Sequence, residues 1–201
     1  MGILVQTSAP SAQPLSVTEA KAHARAAVDL TDEDDQYTLW IKRACELAEL
    51  HTGTAAITQT WKLLLDRWDD EDYTRCSEFG QVVELWRAKA PVQSVSTVKY
   101  RSQTDGTLTT IGSSSYTLGA WGRLAPAFGE FWPQPRTQIE AIEITFVAGY
   151  GLTSASVPEL LRQAMLLTVA HWAEHRGDEN ELQDMPVAAK SLLRGFWTGA
   201  F

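Results

Sequence analysis

The segment with the clearest potential for chemistry is His171-Trp172-Ala173-Glu174-His175, which fits the H-x-x-E-H pattern of certain zinc peptidases. Residues four apart share one face of a helix, so both imidazoles could bind one metal ion, with Glu174 as general base. A zinc site of this kind needs a third protein ligand. The candidates in the polar segment that follows are Glu179, Glu181 and Asp184. The ordinary alternative is a helix end whose His and Glu complement the helix dipole, with Trp172 in the core. We keep a zinc-dependent hydrolase as an alternative and predict no metal site and no cofactor.

Two further segments match catalytic motifs only in part. Gly149-Tyr150-Gly151 follows a predicted strand, but the third glycine of a dinucleotide-binding loop would stand at position 154, which is Ser154. The segment Gly112-Ser113-Ser114-Ser115-Tyr116 lacks the final glycine of a nucleophile elbow, and no P-loop lysine pattern is present. With no complete catalytic set, we predict that the protein is not an enzyme.

The composition predicts a folded protein with its own core. The 201 residues are 44% hydrophobic and 21% charged, and a chain of this length can bury a core without disulfide or metal support. Cys45 and Cys76 form no C-x-x-C pair, so we expect two reduced thiols. The N-terminus does not fit a signal peptide, and no apolar run reaches the length of a membrane span. We therefore expect no export by that route and no membrane association.

The charge balance argues against a protein that grips DNA. Acidic residues outnumber basic residues by 25 to 17, which gives a formal net charge of −8. High affinity for DNA comes largely from Lys and Arg that displace phosphate counterions. An acidic surface can instead lie beside DNA without holding it. The loop Asp69-Asp70-Glu71-Asp72 is a candidate for such a surface.

The hydrophobic periodicity predicts helices at both ends of the chain and strands in the middle. We expect a flexible arm over residues 1–14, a single domain over 15–197 and a tail over 198–201. Helices are predicted over residues 16–28, 32–52, 158–176 and 186–196, the first beginning at a capping box of Ser16 and Glu19. The β region spans residues 56–148, and its strand candidates are 57–65, 82–88, 92–101, 107–111, 116–118 and 142–148. The predicted fold class is α+β, with a helix pair, a central antiparallel sheet and a second helix pair.

Seven of the eight tryptophans divide into two groups by position. Four lie on apolar faces and are expected in the core: Trp40, Trp61, Trp86 and Trp172. Three lie in loops or near the C-terminus, where an indole more often marks an interface: Trp121, Trp132 and Trp197. The C-terminal segment, residues 193–201, contains three aromatic residues and is expected to dock either on its own domain or on a partner.

Several segments, taken in order, resemble the head-tail connector (adaptor) family of tailed bacteriophages and gene transfer agents. The resemblance spans about residues 14 to 195. The segments that carry it are Leu15 to His23, Ile57-Thr58-Gln59-Thr60-Trp61, Pro91-Val92-Gln93-Ser94-Val95, Glu143 to Gly151, and Val157-Pro158 through His171 to Arg176. The chain departs from the family in its acidic link after Arg176 and in Gly195-Phe196-Trp197, where related sequences often have a proline and a basic ending. The resemblance implies that His171 and Glu174 belong to the family's helix end and have no catalytic role.

The resemblance implies a ring of about twelve copies in a virion or phage-like particle. Such a ring sits at the head-tail junction between the portal protein and a tail-side stopper or tail component, and double-stranded DNA passes through it without sequence-specific binding. Synthesis in the bacterial cytoplasm is implied as well. A tail-completion or chaperone-like assembly factor that stays outside the particle is the other non-catalytic alternative.

Within this hypothesis we predict two functional surfaces. The residues expected to bind the portal or a neighbouring subunit are Arg194, Phe196, Trp197 and Phe201. The residues expected to face the DNA channel or another junction surface are Asp69, Asp70, Glu71 and Asp72.

Overall fold

The structure, a computed structural model, describes residues 2–77, 80–176 and 184–196. The described chain forms two compact units. One, the sheet unit, contains residues 2–9 and 58–149, and the other, the helical unit, contains residues 10–57 and 150–196 apart from the gap. The sequence prediction treated residues 15–197 as one domain and did not divide it into such units. Periodicity identifies elements, but it does not show that the two helix pairs close on each other to form a separate core.

The helical unit contains four helices close to the predicted ranges. They are α1 (Val17–His23), α2 (Asp34–Thr52), α3 (Glu159–Glu174) and α4 (Val187–Leu193), and a 3-10 turn, Arg194–Phe196, follows α4. Helix α1 is shorter than the predicted range 16–28 because Arg25 adopts a left-handed backbone conformation, with φ of 55°. Helix α2 ends at Gly53, whose φ of 72° suits a glycine C-cap. No helix in the described residues is long and apolar enough to cross a membrane.

The core of the helical unit is formed by the apolar faces that the spacing predicted. Tyr37 and Ile41 of α2 pack with Leu161 and Trp172 of α3, and all four side chains are almost fully buried. Met185 and Leu193, which lie before α4 and at its end, close the same cluster. His51 has the helical spacing of this face of α2 but is exposed. Burial of these side chains, each contributing about 1.5–3 kcal/mol, is the main stabilising term of the unit.

The sheet unit contains a five-stranded antiparallel sheet in the order β1-β2-β9-β5-β6. Its strands are β1 (Ile3–Ser8), β2 (Gln59–Leu65), β9 (Ile142–Ala148), β5 (Val92–Arg101) and β6 (Leu108–Ile111). The central strand β9 buries every second residue, as its apolar alternation predicts. The β5–β6 hairpin turns at Asp105 and Gly106, a residue pair typical of tight hairpin turns, and Gly106 has φ of 72°.

Strand β1 is a correction to the flexible arm predicted over residues 1–14. Ile3, Leu4 and Val5 pair with residues 64, 63 and 62 of β2. These residues have high β-propensity, but the segment is too short and too far from its partner strand for sequence periodicity to reveal the pairing.

The second sheet of this unit has four antiparallel strands in the order β3-β4-β8-β7. They are β3 (Thr74–Ser77), β4 (Gly80–Glu84), β8 (Arg123–Pro126) and β7 (Tyr116–Gly119). The strand predicted over residues 82–88 ends at Glu84, and a 3-10 turn, Leu85–Arg87, follows it. Strands β3 and β8 were not predicted, because each has only four residues and too few apolar side chains to define a period. The α+β class is confirmed, with two antiparallel sheets in place of the single sheet expected.

Candidate functional site

The acidic loop, residues 69–72, connects β2 to β3 and is shaped by its second residue. The carbonyl of Asp70 accepts hydrogen bonds from the backbone N–H groups of Tyr73, at 3.2 Å, and Thr74, at 2.7 Å. The Asp70 carboxylate accepts the N–H of Asp72 at 3.1 Å. Asp70 is only 4% exposed. Its carboxylate therefore organises the loop, which corrects the expectation that all four acidic side chains face outward.

The other three acidic side chains of the loop are exposed. Asp69 forms an ion pair with Arg67 at 3.1 Å, and Arg87 donates to the backbone carbonyl of Asp72 at 2.8 Å. Burial, together with the charges of Asp72 and Asp70, raises the pKa of Tyr73. A cleft of about 490 Å³ opens beside the loop. It is lined by Asp66, Arg67, Asp70, Glu71 and Asp72. With four acids against one arginine, this surface repels phosphate groups.

A pair of stacked tryptophans adjoins the loop. The rings of Trp68 and Trp132 lie 4.3 Å apart at an interplanar angle of 9°. Trp68 donates its indole N–H to the carbonyl of Pro133 at 2.8 Å, and Trp132 donates to the carbonyl of Gln81 at 2.7 Å. The stacked pair borders a cleft of about 670 Å³ that also includes Arg136. Trp132 was predicted as an interface residue. Its hydrogen bond to Gln81 and its stacking on Trp68 hold the segment 129–135 against strand β4.

Three other aromatic side chains of the sheet unit are strongly exposed. Trp121 is 85%, Phe128 107% and Phe131 87% exposed. Trp121 also has a left-handed backbone, with φ of 64°, which is uncommon for a bulky residue and is often found at functional positions. The exposed position of Trp121 agrees with the sequence prediction. Phe128 was not singled out, although an aromatic residue just before Gly129, in a segment without core periodicity, is the signal that could have identified it.

The H-x-x-E-H segment lies at the end of α3. The imidazoles of His171 and His175 are 4.3 Å apart, and Nδ1 of His175 lies 2.8 Å from the carbonyl oxygen of His171. One nitrogen of His175 is therefore engaged by its own helix. Within the described residues, no group of three or more His, Cys, Asp or Glu side chains is placed to hold a metal ion.

The possible third ligands add little to such a site. Asp184 accepts a hydrogen bond from the Nζ of Lys190 and another from the N–H of Met185, the latter at 2.7 Å. These contacts lower the pKa of Asp184, the lysine being the larger cause. Glu179 and Glu181 lie outside the described residues.

Arg176, at the end of the same segment, has a structural role. Its guanidinium forms a bidentate ion pair with the carboxylate of Glu33 at the start of α2, and one of the two contacts measures 2.9 Å. The guanidinium also lies 5.2 Å from the ring centroid of Trp40. The hydrogen bonds from Arg176 lower the pKa of Glu33. The residues that carry the family resemblance at this helix end therefore tie α3 to α2.

The C-terminal residues are only partly described. Phe196 is half-buried and packs against the core of the helical unit, whereas Arg194 is exposed. Trp197 and Phe201 lie outside the described residues. The C-terminal segment was expected to dock either on its own domain or on a partner, and Phe196 packs on its own unit.

Comparison with known proteins gives matches among solved structures. No protein-family model matches the sequence, and no curated protein matches it significantly. A chain in the neck of an empty GTA particle, computed with C6 symmetry, is 26% identical with a TM-score of 0.74. The match covers 98% of this chain and 95% of that chain.

Two further structures share the fold. A chain in the virion of a native gene transfer agent (GTA) particle is 24% identical with a TM-score of 0.74, and the match covers 98% of this chain and 95% of that chain. A chain in the neck of a native GTA particle, computed with C12 symmetry, is 22% identical with a TM-score of 0.68 at the same coverage. The resemblance predicted from the ordered segments is thus confirmed: over nearly its whole length the chain is similar to proteins of gene transfer agent particles, consistent with the head-tail connector family.

Proposed function

We propose that the chain is a structural head-tail connector (adaptor) without enzymatic activity, located at the head-tail junction of a phage-like particle. It links the capsid portal to a tail-side stopper or tail component, and double-stranded DNA passes through its ring. The observation that carries this proposal is the match to a neck chain at a TM-score of 0.74 over 98% of this chain. A match of that extent leaves no large insertion in which a separate activity would reside.

The symmetry of the matched neck structures supports a ring of twelve subunits. The neck structures with similar chains were computed with C6 and C12 symmetry. A ring of twelve identical subunits obeys both, since sixfold symmetry is contained in twelvefold symmetry. In such a ring each subunit must present two different, complementary surfaces. We therefore propose a dodecamer for the assembled state.

The exposed acids of the loop fit a surface beside DNA. Asp69, Glu71 and Asp72 are exposed, and the whole chain is acidic, with a net charge of −8. Phosphate groups of DNA stay only briefly beside such a surface, because acidic side chains repel phosphate and do not release the counterions of DNA as Lys and Arg do. We assign these three residues to the DNA channel or to an adjoining junction surface, and Asp70 to the support of the loop.

The C-terminal segment is the proposed contact to the portal or to a neighbouring subunit. Phe196 is held on the helical core, so the residues after it begin from a fixed point. Arg194 is exposed next to that point. We propose that Arg194, Trp197 and Phe201 make the intermolecular contact and that Phe196 anchors the segment.

Particle composition tests the proposal as a whole. We expect the chain in purified particles, and we expect cells that lack its gene to produce filled or empty heads without tails. Complete, transfer-competent particles made without the chain would refute the proposal. A chain that is needed for assembly but absent from particles would identify a tail-completion or chaperone-like factor. Stoichiometric zinc in the purified protein, lost after His171→Ala, would favour the hydrolase.

Removal of residues 197–201 tests the C-terminal contact. Phe196 stays in place in this truncation, so we expect a folded protein with unchanged thermal stability that no longer joins heads to tails. The matched control is the full-length chain with Trp197→Ala and Phe201→Ala, which separates the loss of the aromatic rings from the loss of chain length. Head-tail joining at the wild-type level by the truncated protein contradicts the assignment.

A further inference from the structure

The five-stranded sheet has two free edges in the described structure. Strand β1 forms one edge and strand β6 the other. Both strands are largely exposed: five of the six residues of β1 and three of the four residues of β6 are exposed. Each edge therefore presents a row of backbone N–H and C=O groups to solvent, which is a template for pairing with another strand.

Neither edge carries the charges that usually prevent such pairing. Residues 2–18 and 106–122, which contain β1 and β6, include no Asp, Glu, Lys or Arg. The inner strands do carry charges, among them Lys62 of β2 and Glu143 of β9, which form an ion pair at 3.1 Å. Proteins commonly protect exposed edges with charged side chains, lysine above all. Here the distribution is reversed, with charge inside the sheet and none along its edges.

The hydrogen-bond pattern shows which backbone groups point outward. In an antiparallel pair, residues alternate between bonding to one neighbouring strand and to the other. The backbone N–H of Ser102 donates to the carbonyl of Thr107, toward β6, and the backbone N–H of Arg101 donates to the carbonyl of Ala141, toward β9. Counting in register from these two bonds, Leu108 and Thr110 direct their backbone groups away from β5.

The same count, carried through β9 and β2, reaches the opposite edge. The backbone groups of Ile142 and Ile144 in β9 bond to their partners in β2, which are residues 65 and 63. The residues of β2 that alternate with these, Lys62 and Leu64, therefore bond to β1. Their partners in β1 are Val5 and Ile3. The backbone groups of Leu4 and Gln6 consequently point to the free edge.

The two edge strands run in the same direction. Four antiparallel steps separate β1 from β6 in the sheet order, and an even number of reversals restores the direction. Two copies placed side by side with their sheets in line would bring β6 of one copy next to β1 of the other as a parallel pair. Such a contact is heterologous, because it uses a different surface on each copy.

We propose that strand β6 of one copy pairs with strand β1 of the next, so that the five-stranded sheets join head to tail around the ring. This inference rests on the proposed function, whose ring requires two different complementary surfaces. A second copy of this chain is the partner that fits, because uncharged edges let two acidic molecules approach where their other surfaces repel. The pairing contributes one part of the subunit interface, with its centre at Gln6 and Thr110.

Proline substitution tests the pairing with little change to the sheet itself. Gln6→Pro and Thr110→Pro each remove one outward N–H that the sheet does not use, and proline is tolerated in edge strands at such positions. The matched controls are Gln6→Ala and Thr110→Ala, which lose the same side-chain contacts but keep the N–H. We expect both alanine variants to enter particles at the wild-type level and both proline variants to be excluded, at equal thermal stability.

Entry of either proline variant at the wild-type level overturns the pairing. If a proline variant unfolds, Gln6→Glu and Thr110→Glu replace it. They keep every N–H and place negative charges along the facing edges, with the same expected exclusion. Absence of the wild-type chain from particles is a different result, which refutes the proposed function and the pairing together.

Mixing the variants tests whether the contact is head to tail. Thr110→Pro keeps a free β1 edge, and Gln6→Pro keeps a free β6 edge. Native mass spectrometry at concentrations where the wild type associates should show each variant alone as a monomer and the mixture as a dimer that does not grow. A dimer of either variant alone would reveal an edge that pairs with itself and would overturn the head-to-tail arrangement.

Discussion

At the scale of single residues, a few polar side chains join the helices of the helical unit. The Ser16 hydroxyl accepts the N–H of Glu19 at 3.2 Å, and the Glu19 carboxylate accepts the N–H of Ser16 at 2.9 Å. Glu19 also forms an ion pair with Arg162 of α3. The capping box thus starts α1 and ties it to a second helix, which gives two residues a larger effect than a cap alone.

Replacement of the cap residue should destabilise the protein measurably. Ser16→Ala leaves the backbone N–H of Glu19 without its acceptor, and we expect it to lower the free energy of unfolding by about 1 kcal/mol. Urea unfolding followed by circular dichroism measures the change. Ser16→Thr, which keeps a hydroxyl, is the control and should retain most of the stability. Equal stability of the alanine variant and the wild type would contradict this role of Ser16.

The capping carboxylate should also make stability depend on pH. The backbone N–H of Ser16 is the main cause that lowers the pKa of Glu19 below its ordinary value of 4.5. A lowered pKa means that the contribution is complete above pH 4.5 and is lost as the pH falls through the pKa of the folded state. The pKa values of Glu33 and Asp184 are lowered too, so all three groups act in the same direction. We expect the urea midpoint of unfolding to decrease as the pH is lowered below 4.5. The decrease should be smaller for Glu19→Gln. An identical pH profile for this variant would exclude the contribution of Glu19.

Sequence predicts such residue-level contacts only where the partners are close in the chain. The capping box was predictable because Ser16 and Glu19 are three residues apart. The burial of Lys21, which donates to the carboxylate of Asp34 and the carbonyl of Leu30, was not. Nor was the burial of Asp70, because its position depends on how the loop folds back on itself. Charged residues are assigned to the surface by default, and only the folded chain shows which of them have partners inside.

At the scale of elements, the long periodic strands were predicted well, whereas three short strands were missed. Strands β5 and β9 match their predicted ranges, because each has enough apolar residues to define a period. Strands β1, β3 and β8 have six residues or fewer, too few to define a period, and β1 also pairs with residues far along the chain in β2. A strand at an edge buries few side chains, so its sequence carries a weak signal of its position.

The tryptophan pair gives a testable role to the segment that follows β8. Trp132→Ala removes both the stacking on Trp68 and the hydrogen bond to Gln81, and we expect it to lower the free energy of unfolding by about 2 kcal/mol. Trp132→Phe keeps an aromatic ring and should cost about 1 kcal/mol. The control is Trp121→Ala, at an exposed indole, which should change stability by less than about 0.5 kcal/mol. Equal effects at Trp132 and Trp121, measured by urea unfolding, would show that the stacked pair does not fasten the segment.

At the scale of the whole molecule, the placement of negative charge should matter more than its amount. Asp69→Asn, Glu71→Gln and Asp72→Asn together reduce the charge of the acidic loop and leave the buried Asp70 unchanged. We expect particles with this triple variant to assemble normally and to release packaged DNA several-fold more slowly, because phosphate is repelled less. The control triple Asp29→Asn, Asp32→Asn and Asp35→Asn removes the same charge from exposed positions of the helical unit. Equal release rates in the two triple variants would remove the loop from the DNA path.

The interleaved arrangement of the two units determines the order in which they can form during synthesis. Within the residues that the structure describes, every strand of the two sheets has left the ribosome once residue 149 has been translated and released, since the last of them, β9, ends at Ala148. The helical core joins residues before position 58 to residues after position 156. Helices α1 and α2, although made first, must keep their apolar faces uncovered while the whole sheet unit is translated. The early helices are therefore the part of the nascent chain most in need of chaperone protection, and a stalled ribosome anywhere in the middle third would leave them exposed.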